Sequence, residues 1–404
     1  MKENEKGLHA VSGLQSSGIH VGLKTSADNN DLGLLYFPGP ATVAGVFTQN
    51  IVKAWPVKDS QIKLKNQDRF QAILVNSGNA NACNGSQGRS ALENVVAALS
   101  DQLGISSESI LMASTGIIGA PLDEQKIIGG LDSLVEALQE ESSSDFSESI
   151  LTTDTVEKQT SVSIEIDGET CNFTGAAKGS GMIHPRLGTM LAFLMTDISL
   201  SQAQLQEILQ GSVEESFNRI SVDGDTSTND TVLLCSTQQK KIDLDSEKID
   251  LIRSAIKEVC QNLAQMIIAD GEGASKFITV QVEGGASSSD ADQVAQTISQ
   301  SPLVKTAMFG EDPNFGRVLA AVGYSGVKEV DPDAIDIYFS SSKGEVQVCQ
   351  EGQASPHEKH EAEHILTDSN LTIKVDLNMG SCSSWVWTSD LTYDYVKINA
   401  DYST

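Results

Sequence analysis

The chain has 404 residues, with 27 Lys and Arg against 55 Asp and Glu, a formal net charge of −28. Such a field repels phosphate backbones and anionic lipid, which excludes nucleic-acid and membrane-surface binding. Hydrophobic residues at 39% and 33 glycines suit an ordered chain, and the length predicts two substantial domains or lobes.

In chain order, the opening MKENEKGLHAVSG has no apolar core, which predicts no secretory signal. No stretch approaches the roughly 20 apolar residues of a membrane span. Strands are predicted at QAILV (71–75) and SILMAS (109–114). Between them Leu92, Val95, Val96, Leu99 and Leu103 share one face of a helix, which a Ser90–Glu93 capping box opens and Gly104 closes. The Ser- and acid-rich stretches 141–149 and 284–292 read as exposed loops or helix entrances. TSVSIEI (160–166) alternates with period two, and Asp167-Gly168 then marks a hairpin. Further strands are expected at 277–282, 335–339 and 371–377, so the class is α/β. Cys83, Cys171, Cys235, Cys260, Cys349 and Cys382 are scattered without a CxxC pair, the pattern of reduced thiols in a cytoplasmic protein.

Chemistry concentrates in TGAAKGSGMIHPRLGTMLAFLMT (174–196), which holds no acid in an acidic chain. Gly188-Thr189 stands just before its apolar block. Glycine ahead of a hydroxyl permits the strained backbone in which that hydroxyl attacks the preceding carbonyl. Such an N→O acyl shift, then hydrolysis, would free Thr189 as an N-terminal nucleophile with its own α-amine as base. A loop entering a buried element explains the same residues. NSGNANACNG (76–85) either caps a sheet or lines a pocket. RISVDGDTSTNDT (219–231) is rich in side chains that bond their own backbone and reads as structural.

Two competing signals are weaker. His360-Glu361-Ala362-Glu363-His364 matches the HExxH zinc pattern, but charge flanks it and no His or Glu follows to act as third ligand. The glycines at 175–181 lack a Gly-Lys-Ser/Thr ending, so a nucleotide loop is unsupported.

Nine stretches in order carry a family resemblance: GVFTQN (45–50), VNSGNANACNG (75–85), STGIIG (114–119), TTDT (152–155), AAKGSGMIHPRLGTML (176–191), RISVDGDTSTNDT (219–231), EGASKF (272–277), DPNFGRVLAAVGYSG (312–326) and DLTYDYVKINADYST (390–404). Over essentially its whole length the sequence resembles the glutamate N-acetyltransferase (ornithine acetyltransferase) family of arginine biosynthesis. The resemblance implies a layered α-β-β-α sandwich of two related lobes, of the self-cleaving N-terminal-nucleophile type. Cleavage at Gly188-Thr189 would give chains 1–188 and 189–404. Thr189 becomes the nucleophile, Thr115 and Gly116 the oxyanion stabilisers, and Thr152, Lys178, Thr189, Glu272, Asn399 and Thr404 the substrate contacts.

The implied reaction moves acetyl from N2-acetyl-L-ornithine to L-glutamate through acetyl-Thr189, with no metal or bound cofactor. Acetyl-CoA is a second candidate donor, because the family holds monofunctional and bifunctional members. The implied partners are the two cleaved halves, in a heterotetramer of two of each. An amidase using the same threonine, or a silent binding paralogue, are the rival readings. The acid-free stretches 70–92, 109–122, 174–196 and 377–389 adjoin the motifs and predict a site with a neutral or positive lining.

Overall fold

The computed structural model describes residues 2–3, 7–26, 29–140, 144–184, 190–356 and 359–401. Gly188, Thr189 and Thr404 therefore lie outside the described residues. Strands run in the order β1 (Lys2–Glu3), β2 (Gln15–Ile19), β3 (Leu32–Phe47), β4 (Arg69–Asn79), β5 (Ile110–Ile117), β6 (Lys158–Ile166), β7 (Glu169–Lys178) and β8 (Leu191–Ile198). They continue with β9 (Ile220–Ser221), β10 (Thr231–Lys240), β11 (Phe277–Gly285), β12 (Asp336–Ser341), β13 (Gly344–Gln350), β14 (Gln353–Ala354), β15 (Asn370–Asp376) and β16 (Cys382–Ser389). With helices between them the class is α/β, as expected. Among the described residues no helix is long and apolar enough to cross a membrane.

Two compact units divide the chain. The first holds Met1–Met182, Arg186–Asn218 and Asp225–Ile267. Its nine-stranded sheet has the order β1-β6-β7-β8-β10-β3-β4-β5, with β2 paired to β3 off that path. Both faces are covered. Leu32, Leu34, Ala72 and Leu74 pack on the apolar stripes of helices Gly85–Leu103 and Glu124–Glu136. From the other face Phe37, Val43, Ile73, Val75 and Phe193 enter a second core. Strand β8, buried at all eight positions, reads LAFLMTDI, the near-continuous apolar run of a strand covered on both sides.

The predicted strands fall on β4, β5, β6, β11, β12 and β15, overhanging β5, β12 and β15 by one residue each, and the Asp167-Gly168 turn has both residues at positive φ, as a tight hairpin needs. Two expectations change. The first concerns the helix after β4, which begins at Gly85 and not at Ser90, while Gly104 closes it in the left-handed region as foreseen. The cause is a knot of amides: Asn84 Nδ2 donates to Asn81 Oδ1 at 2.6 Å, and Asn81 Nδ2 donates to the Gly88 carbonyl at 3.0 Å. They brace a turn of helix ahead of the expected cap. Second, residues 144–149 form a short helix, the helix-entrance alternative for this stretch, but it is not exposed throughout: Phe146 is buried, its ring edge-on to Phe193 at 5.5 Å.

The second unit holds Ile183–Pro185, Arg219–Gly224 and Ile268–Thr404. Its seven-stranded sheet has the order β14-β13-β12-β15-β11-β16-β9. Ile278, Val280 and Val282 of β11 pack with Val294 and Ile298 of helix Ser288–Gln300, whose start at Ser287 matches the expected helix entrance. The HExxH residues lie on helix Lys359–Leu366, where His360 is 95% exposed beside Glu363. Among the described residues no group of three or more His, Cys, Asp or Glu could hold a metal ion.

Candidate active site

In the first unit, strand pairing gathers residues far apart in sequence. Lys178 ends β7 and stands opposite Leu191, the first residue of β8. Its ammonium is buried, and it donates to Thr152 Oγ1 at 2.8 Å and to Thr115 Oγ1 at 3.3 Å. Three of the expected site residues therefore meet around one cation. An ammonium at this depth requires a counter-charge, because burial without one costs several kcal/mol, of the order of 5.

Asp154, silent within the TTDT motif at the level of sequence, supplies that charge. Its Oδ2 lies 3.9 Å from Lys178 Nζ and accepts the Thr152 N–H at 3.0 Å. Oδ1 accepts Lys158 Nζ at 2.7 Å and the Gly179 N–H at 2.6 Å. Burial alone would raise this carboxyl. The ammoniums of Lys178 and Lys158, with the bonds from Lys158 and Gly179, outweigh it and hold it down at about 2. A further cation, Lys24, is lowered to about 8, first by burial and then by the charge of Lys178, against the pull of Asp31.

Thr115 and Gly116 lie within β5, where pairing with β4 turns irregular at Gly78 and Asn79. Gly116 has φ +129°, a conformation that L side chains rarely adopt, and a Cβ there would sit 2.5 Å from the Asn79 nitrogen. Gly116 thus pairs with Gly78 at the point where the ladder departs from regular register.

Several asparagines hold this corner. Asn229 Nδ2 donates to the carbonyls of Ala80 and Ser114, both at 2.7 Å. Ser114 Oγ donates to Asn76 Oδ1 at 2.6 Å, and Asn79 Nδ2 donates to the Pro121 carbonyl at 3.0 Å. The 219–231 stretch is structural here, as expected, and in the 76–85 stretch the amides of Asn76, Asn79, Asn81 and Asn84 go to internal bonds. A second acid missed from sequence is Asp230. It is fully buried, its Oδ1 accepts the Met190 N–H at 3.1 Å, and the Thr231 N–H donates to the Met190 carbonyl. Burial pushes its carboxyl well above the ordinary range. The residue after Thr189 is thereby clamped from both sides.

Within the second unit the structure joins two other expected residues. Asn399 Nδ2, on helix Tyr393–Asp401, donates to Glu272 Oε2 at 2.7 Å and to the Tyr395 carbonyl at 3.0 Å. Thr392 Oγ1 donates to the Gly273 carbonyl at 2.7 Å, and Tyr395 Oη donates to Asp223 Oδ2 at 3.1 Å, which ties the helix down. The family resemblance alone put Glu272 and Asn399 among the substrate contacts, without showing that they bond each other.

Comparison with known proteins bears on the family of the chain as a whole. The ArgJ family model matches residues 15–404. The chain is 42% identical over 400 residues to the arginine biosynthesis bifunctional protein ArgJ of Caldanaerobacter subterraneus subsp. tengcongensis, covering 98% of each. It is 43% identical over 396 residues to that of Desulfotalea psychrophila, covering 97% of this chain and 99% of the relative. A solved structure of ornithine acetyltransferase with ornithine from Mycobacterium tuberculosis aligns with 47% of this chain and 98% of its own, at 30% identity and a TM-score of 0.42. With a family match of this extent and relatives above 40% identity along nearly its whole length, the chain belongs to the ArgJ family of arginine-biosynthesis proteins.

Proposed function

We propose that this chain is a self-processing glutamate N-acetyltransferase that carries acetyl from N2-acetyl-L-ornithine to L-glutamate on Thr189. The observation that carries the reading is the meeting of Lys178, Thr115 and Thr152, with Lys178 in register with Leu191, two residues beyond Thr189.

In processing, Thr189 Oγ attacks the Gly188 carbonyl carbon, the amide C–N bond breaks, and the nitrogen takes the hydroxyl proton to become an amine. Water then hydrolyses the ester, leaving a Gly188 carboxylate and the Thr189 hydroxyl. The freed amine, with an ordinary pKa near roughly 8, accepts the Oγ proton during acyl transfer. Oγ attacks the acetyl carbonyl of N-acetylornithine while the Gly116 N–H and the Thr115 hydroxyl stabilise the oxyanion. The C–N bond breaks and ornithine leaves with the proton on its amine. Glutamate's amine next attacks the ester, giving N-acetylglutamate and restoring Oγ–H. Glu272, braced by Asn399, suits the substrate ammonium, and the resemblance adds the Thr404 hydroxyl as a further substrate contact.

Cleavage would not free the halves. Strands β8 and β10 belong to the second fragment, yet they lie between β7 and β3 of the first. The halves therefore share one sheet; a heterotetramer of two of each is the assembly that the resemblance implies. Six free cysteines suit a cytoplasmic location.

A donor assay tests the activity. With N-acetylornithine and glutamate, one ornithine should appear for each N-acetylglutamate formed. Acetate in place of N-acetylglutamate would favour the amidase reading. An acetyl-CoA arm separates the one-donor enzyme from the bifunctional one that the relatives' names describe.

A further inference from the structure

The resemblance makes Lys178 a substrate contact. Its surroundings point to a second role, which rests on the acetyl-threonine reading above. We propose that Lys178 acts through Thr115, setting the direction of the oxyanion-stabilising hydroxyl and adding its charge to it, and that Asp154 is the positioning residue of this relay.

A lysine ammonium only donates hydrogen bonds. Since Lys178 Nζ lies 3.3 Å from Thr115 Oγ1, that oxygen accepts, and the Thr115 O–H hydrogen must point away from the ammonium. A hydroxyl that already accepts from a cation is also a stronger donor, because the charge polarises it. Both effects favour stabilising a developing oxyanion. They are strongest out of water, and Lys178 and Thr115 are only 2% and 3% exposed.

Asp154 braces the lysine side of this arrangement. Through the Gly179 N–H it holds the backbone beside Lys178, and through the Thr152 N–H it holds the residue whose hydroxyl takes the other Lys178 bond. Lys158, itself fully buried on β6, anchors the carboxylate from the far side. Its strand register opposite Ala177 brings it there. A residue that merely bound a substrate carboxylate would need no hydroxyl of the oxyanion site as its bond partner.

The two roles separate in kinetics. Loss of a contact made equally in ground and transition states raises KM, whereas loss of oxyanion stabilisation lowers kcat. The experiment is a double-mutant cycle on the cleaved enzyme, whose two chains are first confirmed on a denaturing gel. Lys178→Met and Thr115→Val are each expected to lower kcat about 100-fold. In the Thr115→Val background, Lys178→Met should cost less than about 3-fold more. Asp154→Asn should lower kcat at least about 10-fold with KM for both substrates within about 3-fold, and Lys178→Arg should recover part of the loss. Should Lys178→Met fail to process, the Asp154→Asn and Thr115→Val pair gives the same cycle. Independent, multiplying losses in kcat, or losses confined to KM, would overturn the relay while leaving the acetyltransfer reading intact. A wild-type enzyme that forms no N-acetylglutamate would overturn both.

Discussion

Thr189→Ala is expected to run as one uncleaved chain on a denaturing gel and to lose activity by at least about 10⁴-fold. The substitution removes the hydroxyl that makes the break and, with it, the amine that the break exposes. Thr189→Ser keeps both groups and should still process, with reduced acetyl transfer. The surrounding fold gives no reason for either variant to unfold. Met190 is held by Asp230 and Thr231, and β8 is locked between β7 and β10 by pairings that begin at Leu191. An active, uncleaved Thr189→Ala protein would sink the mechanism.

Gly116→Ala carries the other large effect. Its φ of +129° is closed to alanine, and the added methyl would press on Gly78 and on the Asn79 nitrogen of the neighbouring strand. Relief requires β4 and β5 to shift at their irregular pairing, moving the Gly116 N–H and the Thr115 hydroxyl together. Loss of one oxyanion donor costs about 10²–10³ in rate, so a fall of this size is expected in kcat. Backbone strain of this kind should also lower stability by about 1–3 kcal/mol, visible as a lower melting temperature. Gly129→Ala is the matched control. That glycine lies inside helix Glu124–Glu136, and an added methyl there would meet nothing within 4 Å. Melting should therefore hold or rise slightly, and kcat should not change. Equal kinetic effects at both positions would remove Gly116 from the oxyanion site.

Local signals account for what was legible beforehand. Period-two runs such as TSVSIEI and apolar runs such as QAILV report their own burial, so their strands could be read directly. Lys178, Thr115 and Thr152 were legible as a set only through the ordered motifs, and the structure brings both threonine hydroxyls within hydrogen-bonding reach of the Lys178 ammonium. Asp154 was hidden for a physical reason. It lies well before Lys178 in the chain, and only the β6–β7 hairpin and the 152–157 turn bring its carboxylate under the ammonium. The acid-free stretch 174–196 thus holds a cation that is neutralised from another segment. The neutral or positive lining expected from sequence therefore includes a buried carboxylate, Asp154, set against two ammoniums, Lys178 and Lys158. Asp230 escaped for a similar reason, since a parallel β8–β10 pairing carries it to Met190. The early start of helix Gly85–Leu103 depends on side-chain amides folding back on their own turn, which periodicity does not register.

The central claim is that acetyl passes through Thr189, and the intact mass of the processed enzyme tests it most directly. After brief exposure to N-acetylornithine without glutamate, the fragment beginning at Thr189 should gain the mass of one acetyl group, and glutamate should then remove it as N-acetylglutamate. A processed, active enzyme whose Thr189 fragment never gains that mass, or keeps it when glutamate is added, would contradict the account.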